Sequence, residues 1–282
     1  MQLIQSPDEI LVKVKDLKKK GLSIGLVPTM GALHHGHKAL ADQSLKENDI
    51  TITSIFVNPT QFNNAEDLAR YPKTLQADKQ KLETWGVDIL FAPQENEIYP
   101  RKPTIKLNFG KLEEVLEGKF RPGHFNGVGI IVMKFLNLVL PDRAYFGLKD
   151  FQQFLIVKEL VSNFSVPTEI IGVPTQRHAS GLAISSRNQN LSEKGLEIAA
   201  NIYQGLNLAR ELILDKKGIK ETIRLTGQFY DKVDGLEIEY FEIVNSDTLL
   251  GEQITEDSPL LLSVAGYVEN IRLIDNLYLQ PD

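Results

Sequence analysis

An apolar run from Leu22 to Val27, an amphipathic pattern from His35 to Lys46 and a second apolar run from Asp49 to Val57 follow one another in the chain. Two strands joined through a helix lie side by side in parallel, with a right-handed crossover, because a tight hairpin is no longer available to them. The alternation then repeats. A helix over Leu75 to Trp85 precedes a strand at Val87 to Phe91, and a helix over Gly127 to Leu140 precedes a strand near Ala144. A helix from Phe151 and a strand at Glu169 to Val173 complete the series. The pattern predicts an α/β fold with a doubly wound parallel sheet.

Past Asn188 the rhythm changes. Long helical patterns over Ser192 to Asp215 and Glu221 to Lys232 are followed by Leu236 to Val244, Leu260 to Val264 and Ile271 to Leu279, which read as successive strands. Helices followed by strands without intervening helices imply a smaller α+β domain. With 282 residues the chain is long enough for two domains. The boundary is expected between Pro174 and Asn188, which gives a catalytic domain over 1–175 and a C-terminal domain over 176–282.

Charge and composition narrow the function. Lys and Arg total 31 against 37 Asp and Glu, a net charge of −6, with the basic residues dispersed. A phosphate-backbone binding surface needs them gathered, so nucleic acid is not an expected partner. The cluster Lys18 to Lys20 sits where cations complement the end of a helix that opens on the capping sequence Ser6-Pro7-Asp8-Glu9. There is no cysteine, hence no disulfide or thiolate metal site. The most apolar span, Gly127 to Leu140, is interrupted by Lys134 and Asn137 and stopped by Pro141, too short for a bilayer. No secretory signal pattern opens the chain, so a soluble, cytoplasmic protein is expected.

Ligands of open α/β sheets bind beyond the carboxyl ends of the strands. "VPTMGALHHGH", Val27 to His37, occupies that place after the first strand of the repeat. Gly31 permits close backbone approach, and free N–H groups at a helix start favour an anion. His34 and His37 are three apart, so both point to one side of the first turn. Phosphate contact, a metal pair and a merely polar helix start all remain open from spacing alone, although zinc would need further ligands. "FVNPTQF" places Asn58 and Gln61 at the end of the second strand, as amides suited to hydroxyls and a carboxylate. "FRPGHF" offers Arg121 and His124 in a turn, and "YFGLKDFQQF" puts Gly147, Lys149 and Asp150 at another strand end, with Gln152 or Gln153 facing the same cleft. "GLAISSRN" supplies Ser185, Ser186 and Arg187, a grip for polyphosphate. His178 reads as a loop residue.

Taken together, "PTMGALHHGH", "FVNPTQF", "DLARYPKT", "RPGHFNGV", "FGLKDFQQ" and "SGLAISSRN" resemble, in order and spacing, the pantoate–β-alanine ligase (pantothenate synthetase) family. The resemblance implies a Rossmann-like fold of the HIGH-type nucleotidyl-transferring superfamily, with "HHGH" and "ISSRN" standing where class I aminoacyl-tRNA synthetases carry HIGH and KMSKS. It implies ATP-dependent joining of pantoate and β-alanine through pantoyl adenylate, releasing AMP and pyrophosphate, with Mg²⁺ carried on the ATP phosphates and no protein metal site. A homodimer is also implied.

By the same resemblance Met30, Gly31, His34, His37, Gly147, Lys149, Asp150, Gln176, Ile184, Ser185, Ser186 and Arg187 would bind ATP. His34, His37 and Lys149 would be catalytic, and Gln61, Gln153 and Asn58 would hold pantoate and β-alanine. The C-terminal domain would carry the ISSRN loop over the site. Gln176, His178, Ser180 and Ile184 depart from the family's common valine, glutamate, aspartate and methionine, and Asn126 replaces a frequent arginine. The rival readings are a nucleotidyltransferase of the same superfamily acting on a small phosphorylated substrate, an RNA-binding module and a His-based metallohydrolase. The neutral amides Gln61 and Gln153 speak against the first, since a phosphate pocket calls for cations.

Overall fold

The computed structural model describes residues 1–255 and 257–280. In chain order the elements are β1 (Gln2–Ile4), α1 (Pro7–Lys19), β2 (Ile24–Thr29), α2 (His35–Glu47), β3 (Ile50–Ile55), α3 (Ala65–Arg70) and α4 (Leu75–Trp85). There follow β4 (Ile89–Phe91), α5 (Glu95–Ile98), α6 (Leu116–Phe120), α7 (His124–Val139), β5 (Arg143–Gly147), α8 (Phe151–Asn163) and β6 (Glu169–Val173). The last elements are α9 (Glu193–Leu214), α10 (Ile219–Tyr230), β7 (Glu237–Asn245), β8 (Leu260–Val268) and β9 (Ile271–Leu279). Two compact units form: Met1–Glu114 with Gly118–Leu148 and Gln153–Pro174, and Val115–Glu117 with Lys149–Gln152 and Thr175–Asp282.

The first unit is built on a six-stranded sheet in the order β1-β4-β3-β2-β5-β6. Every pairing in it is parallel. From β2 the chain winds outward through β3 to β4, then returns to place β5 on the other side of β2. That reversal puts the loop after β2 at the switch point, where a crevice opens in such sheets. Helix α1 starts at Ser6, whose hydroxyl caps the Glu9 N–H, and buries Ile10, Val14 and Leu17. Burial of each such side chain stabilises the unit by about 1.5–3 kcal/mol. Along α7, Val128, Ile131, Val132, Phe135, Leu136 and Val139 join the same core.

Two departures from the sequence pattern have local causes. Strand β1, which pairs Gln2 with Ile89 and Ile4 with Phe91, is too short to show any alternation. Helix α7 begins at His124, ahead of Gly127, because Gly123 takes a left-handed conformation (φ 78) and serves as its N-cap.

The second unit carries the antiparallel sheet β7-β8-β9. Apolar residues of α9 (Ala199, Ile202, Leu206) and β8 (Leu262, Val264) share its core. Strand β8 continues to Val268, past the expected end at Val264. Gly266 faces the register shift between Ile238 and Tyr240, where a Cβ would lie 2.7 Å from the Glu237 carbonyl. No helix among the described residues is long and apolar enough to cross a membrane.

Candidate active site

The loop leaving β2 turns through two left-handed residues, Gly31 (φ 85) and Ala32 (φ 51). For alanine that conformation costs about 1–2 kcal/mol, so neighbouring contacts must hold it. The Thr29 hydroxyl donates to the Ser54 carbonyl (2.7 Å) and accepts from the Gly31 N–H (3.2 Å). The Asp78 carboxylate of α4 accepts from the Ala32 N–H (2.9 Å) and the Leu33 N–H (2.8 Å). His34 is then the N-cap of α2. Its Nδ1 accepts from the Gly36 N–H at 3.1 Å, while His37 Nδ1 accepts from the His34 N–H at 3.3 Å, closing a reciprocal capping box.

These bonds correct one expectation. The backbone donors of Gly31 to His34 and of Gly36 are committed within the loop, so they do not form a free N–H cradle. The histidines gain a defined tautomer instead. A neutral imidazole that accepts at Nδ1 carries its proton on Nε2, so both rings are Nε2–H donors. They lie 4.0 Å apart between centroids, while His35 is exposed.

Beside this loop lies a buried amide network. Asn58 Nδ2 donates to Gln61 Oε1 (3.0 Å) and to the Gly127 carbonyl (3.1 Å). Its Oδ1 accepts from the Tyr99 hydroxyl and the Thr60 hydroxyl, both at 2.9 Å. All the hydrogen-bonding capacity of the Asn58 amide is thereby used. The residue expected to touch substrate acts instead as the support of Gln61. His124, which the sequence leaves open between chemistry and a turn, is buried with Nδ1 2.8 Å from the Gln61 carbonyl. Gln61 Nε2 reaches Met30 Sδ at 3.3 Å, joining the amide network to the first loop.

In the second unit the remaining polar segments hang on β9. The Asn276 amide donates to the Lys149 carbonyl (2.7 Å), and Lys149 Nζ lies 3.7 Å from Asp150. Arg177 makes a bidentate pair with Asp275 and donates to the Asn276 carbonyl. Its guanidinium also stacks 3.8 Å over Tyr203. This pins a small hairpin in which the Ile184 N–H bonds the Gln176 carbonyl (2.9 Å). Gln176, His178 and Ser180, three of the departing residues, are exposed on it, and Ile184 is half-buried. Ser185 caps the following 3-10 turn, with Asn188 reciprocating to the Ser185 N–H at 2.6 Å. Arg187 Nη1 donates to the Arg272 carbonyl at 3.2 Å.

Arg272 itself is clamped by Glu117 and Glu239, and the Tyr240 hydroxyl donates to Glu117 (2.9 Å). Burial, and then the Glu117 charge, push the Tyr240 phenol up, which keeps it a donor. Gln152 is spent on the Glu117 N–H and the Val115 carbonyl, whereas Gln153 lies half-buried in the first unit.

The first unit thus gathers Met30, Gly31, His34, His37, Asn58 and Gln61, while Lys149, Asp150, Gln176 and Ile184–Arg187 belong to the second. Asp78, Tyr99 and Arg177 escaped the sequence reading. Asp78 stands in the segment after "DLARYPKT" and looks like an ordinary helix-start acid; only the fold brings it under the loop. Arg177 is adjacent to the substituted Gln176 and His178 and gives no signal of its own. Among the described residues no group of three or more His, Asp or Glu stands together to hold a metal.

A parallel sheet with a capping histidine pair at its switch strand, and buried amides beside it, defines an open α/β enzyme of the nucleotide-using kind. The chain belongs to the pantoate-beta-alanine ligase family, whose model matches residues 2–278. The pantothenate synthetase of Cytophaga hutchinsonii is 44% identical over 278 residues, covering 97% of this chain and 98% of that one. The crystal structure of pantothenate synthetase from Thermus thermophilus superposes with a TM-score of 0.90 at 38% identity, over 100% of both chains. A pantoate-beta-alanine ligase from Francisella tularensis, complexed with beta-gamma ATP and beta-alanine, gives 0.81 at 37% identity, covering 99% of this chain and 97% of that one.

Proposed function

We propose that this protein ligates pantoate and β-alanine to pantothenate at the expense of ATP, through pantoyl adenylate. The carrying observation is the contact of Gln61 Nε2 with Met30, which sets the substrate amide against the loop that bears His34 and His37. In the first step a pantoate carboxylate oxygen bonds to the α-phosphorus and the bond to pyrophosphate breaks. In the second the neutral amine of β-alanine attacks the acyl carbon, AMP leaves and the amine gives up a proton.

Such chemistry asks little covalent help from the protein; alignment and charge stabilisation supply most of the acceleration. His34 and His37 donate from Nε2 to the phosphates as the charge moves onto pyrophosphate. Lys149 and Arg187 add cationic donors, with Gly147, Asp150, Gln176, Ile184, Ser185 and Ser186 completing the nucleotide contacts. Gln61 and Gln153 hold pantoate, and Asn58 fixes Gln61. Mg²⁺ arriving on the ATP phosphates would neutralise part of their charge. We place the reaction in a cytoplasmic homodimer, with residues 1–175 as the catalytic part that binds ATP and pantoate.

The test is isotope exchange between pyrophosphate and ATP. Pantoate alone should drive it, and steady AMP release should require β-alanine. Exchange that ignores pantoate and appears with a small phosphorylated acceptor would replace this reading with nucleotidyl transfer.

A further inference from the structure

Helix α4 holds a carboxylate, Asp78, that bonds the first loop through both its oxygens. Asp78 has 0% exposure. A buried carboxylate is costly unless both oxygens are paired. Oδ2 accepts from the Ala32 N–H and the Thr74 hydroxyl, each at 2.9 Å, and Oδ1 accepts from the Leu33 N–H at 2.8 Å. One turn further along α4, Lys81 Nζ lies 4.0 Å from Oδ1 and donates to the Leu33 carbonyl at 2.6 Å. Both backbone groups of Leu33, the residue immediately before the His34 cap, are therefore held by α4. A Cβ on Gly31 would sit 3.1 Å from Asp78 Oδ2, so carboxylate and turn are fitted to one another.

We propose that Asp78, assisted by Lys81, is a positioning residue for the ATP phosphates. It keeps the Gly31–Ala32 turn in its left-handed form and takes up the Ala32 and Leu33 N–H donors. Anion recognition is thereby left to the Nε2–H groups of His34 and His37, whose cap geometry starts at Leu33. The inference rests on the ligase reading for the identity of the ligand. A clamp with a purely architectural role would affect stability and leave nucleotide affinity alone.

The experiment compares the full-length protein with Asp78→Asn, Lys81→Met and Leu82→Ala, binding β,γ-methylene ATP with Mg²⁺ by titration calorimetry, alongside thermal melts and the KM for each substrate. Asp78→Asn turns one acceptor into a donor facing N–H groups and should weaken nucleotide binding about tenfold, the worth of one hydrogen bond to a charged group. Lys81→Met, on a 43% exposed side chain, should weaken it about threefold. Leu82, buried on the same helix, shares an apolar cluster with Leu33 but makes no hydrogen bond to its backbone, so it reports loss of packing with the clamp intact. Leu82→Ala should lower the Tm and leave nucleotide affinity within about twofold. The KM for β-alanine should stay the same in all of them.

Wild-type nucleotide affinity in both Asp78→Asn and Lys81→Met, or equal weakening in Leu82→Ala, overturns the proposal. A wild-type protein that binds the analogue but catalyses no pantoate-dependent exchange refutes the ligase reading while the affinities still decide the role of Asp78. A wild-type protein that does not bind it refutes both.

Discussion

Substituting Gly127 by alanine should impair pantoate use more than it impairs stability. The added Cβ would stand 2.3 Å from the Thr60 carbonyl oxygen and 2.6 Å from the Gln61 N–H nitrogen, where ordinary contact begins at 3.4 Å. Both neighbours are backbone, so α7 and the Pro59–Gln61 turn must part by about 1 Å. Overpacking of this kind costs about 1–3 kcal/mol, and removal of a helix glycine returns about 0.5–1 kcal/mol, leaving a net loss of at most about 2.5 kcal/mol. The same movement stretches the Asn58 to Gly127 hydrogen bond from 3.1 Å and shifts Gln61, which that amide holds. A displacement of about 1 Å in a positioning group lowers turnover by up to about 100-fold. Pantoate-dependent pyrophosphate exchange, measured over a pantoate series together with a thermal melt, separates the effects. The expected variant is folded, with kcat/KM for pantoate reduced well beyond that for ATP. An alanine variant with unchanged pantoate kinetics would show that the approach of α7 to the turn does not place Gln61.

Replacing His34 tests cap and chemistry separately: His34→Ala should lose about 1 kcal/mol of stability, whereas His34→Asn, a good N-cap, should restore the Tm without restoring exchange activity. Removing the cation between Glu117 and Glu239 by Arg272→Met leaves a buried and a half-buried carboxylate facing each other and should cost about 3 kcal/mol in urea denaturation, with Glu117→Gln milder. Burial raises the Asp142 carboxyl, but its bonds to Lys18 Nζ and the Ile24 N–H, both 2.7 Å, outweigh that and hold it below the usual aspartate range. Its stabilisation is present above the unfolded value of about 4 and fades as pH falls through the lowered folded value. The stability gap between wild type and Asp142→Asn should therefore be widest near neutral pH and narrow below about pH 4, as denaturant titrations at several pH values would show.

How much of this was readable from the residues varied with range. The parallel sheet followed from apolar runs separated by helices, since β2, α2 and β3 each carry their own period. The reading of "HHGH" as a nucleotide-facing helix start depended on its place after a strand, which is also local. What escaped was the second partner of each interaction. Asp78 and Leu33 are 45 apart in sequence, and Tyr99 meets Asn58 across 41, so neither pairing has a local signature. Asn58 looked like a substrate group because an asparagine in a strand-end turn shows its amide but not what saturates it. The same holds for Gln152 and Gln153: the neighbouring amides read alike, and only the helix phase assigns one to Val115 and Glu117.

Strand β1 has a consequence for how the protein is made. Strand β1 is the outer edge of the sheet, and its pairing partner, Ile89–Phe91, lies far along the chain and is synthesised much later. Until then Ile4, 1% exposed in the folded protein, has no place to go, and once β4 docks on β3 its open edge stays available to any extended chain. Closing a loop of that length is slow relative to local helix formation. Strand β1 should therefore be the last piece of the sheet to lock. A polar substitution at Ile4 would act on assembly and yield at low temperature or high concentration, well before it touched turnover.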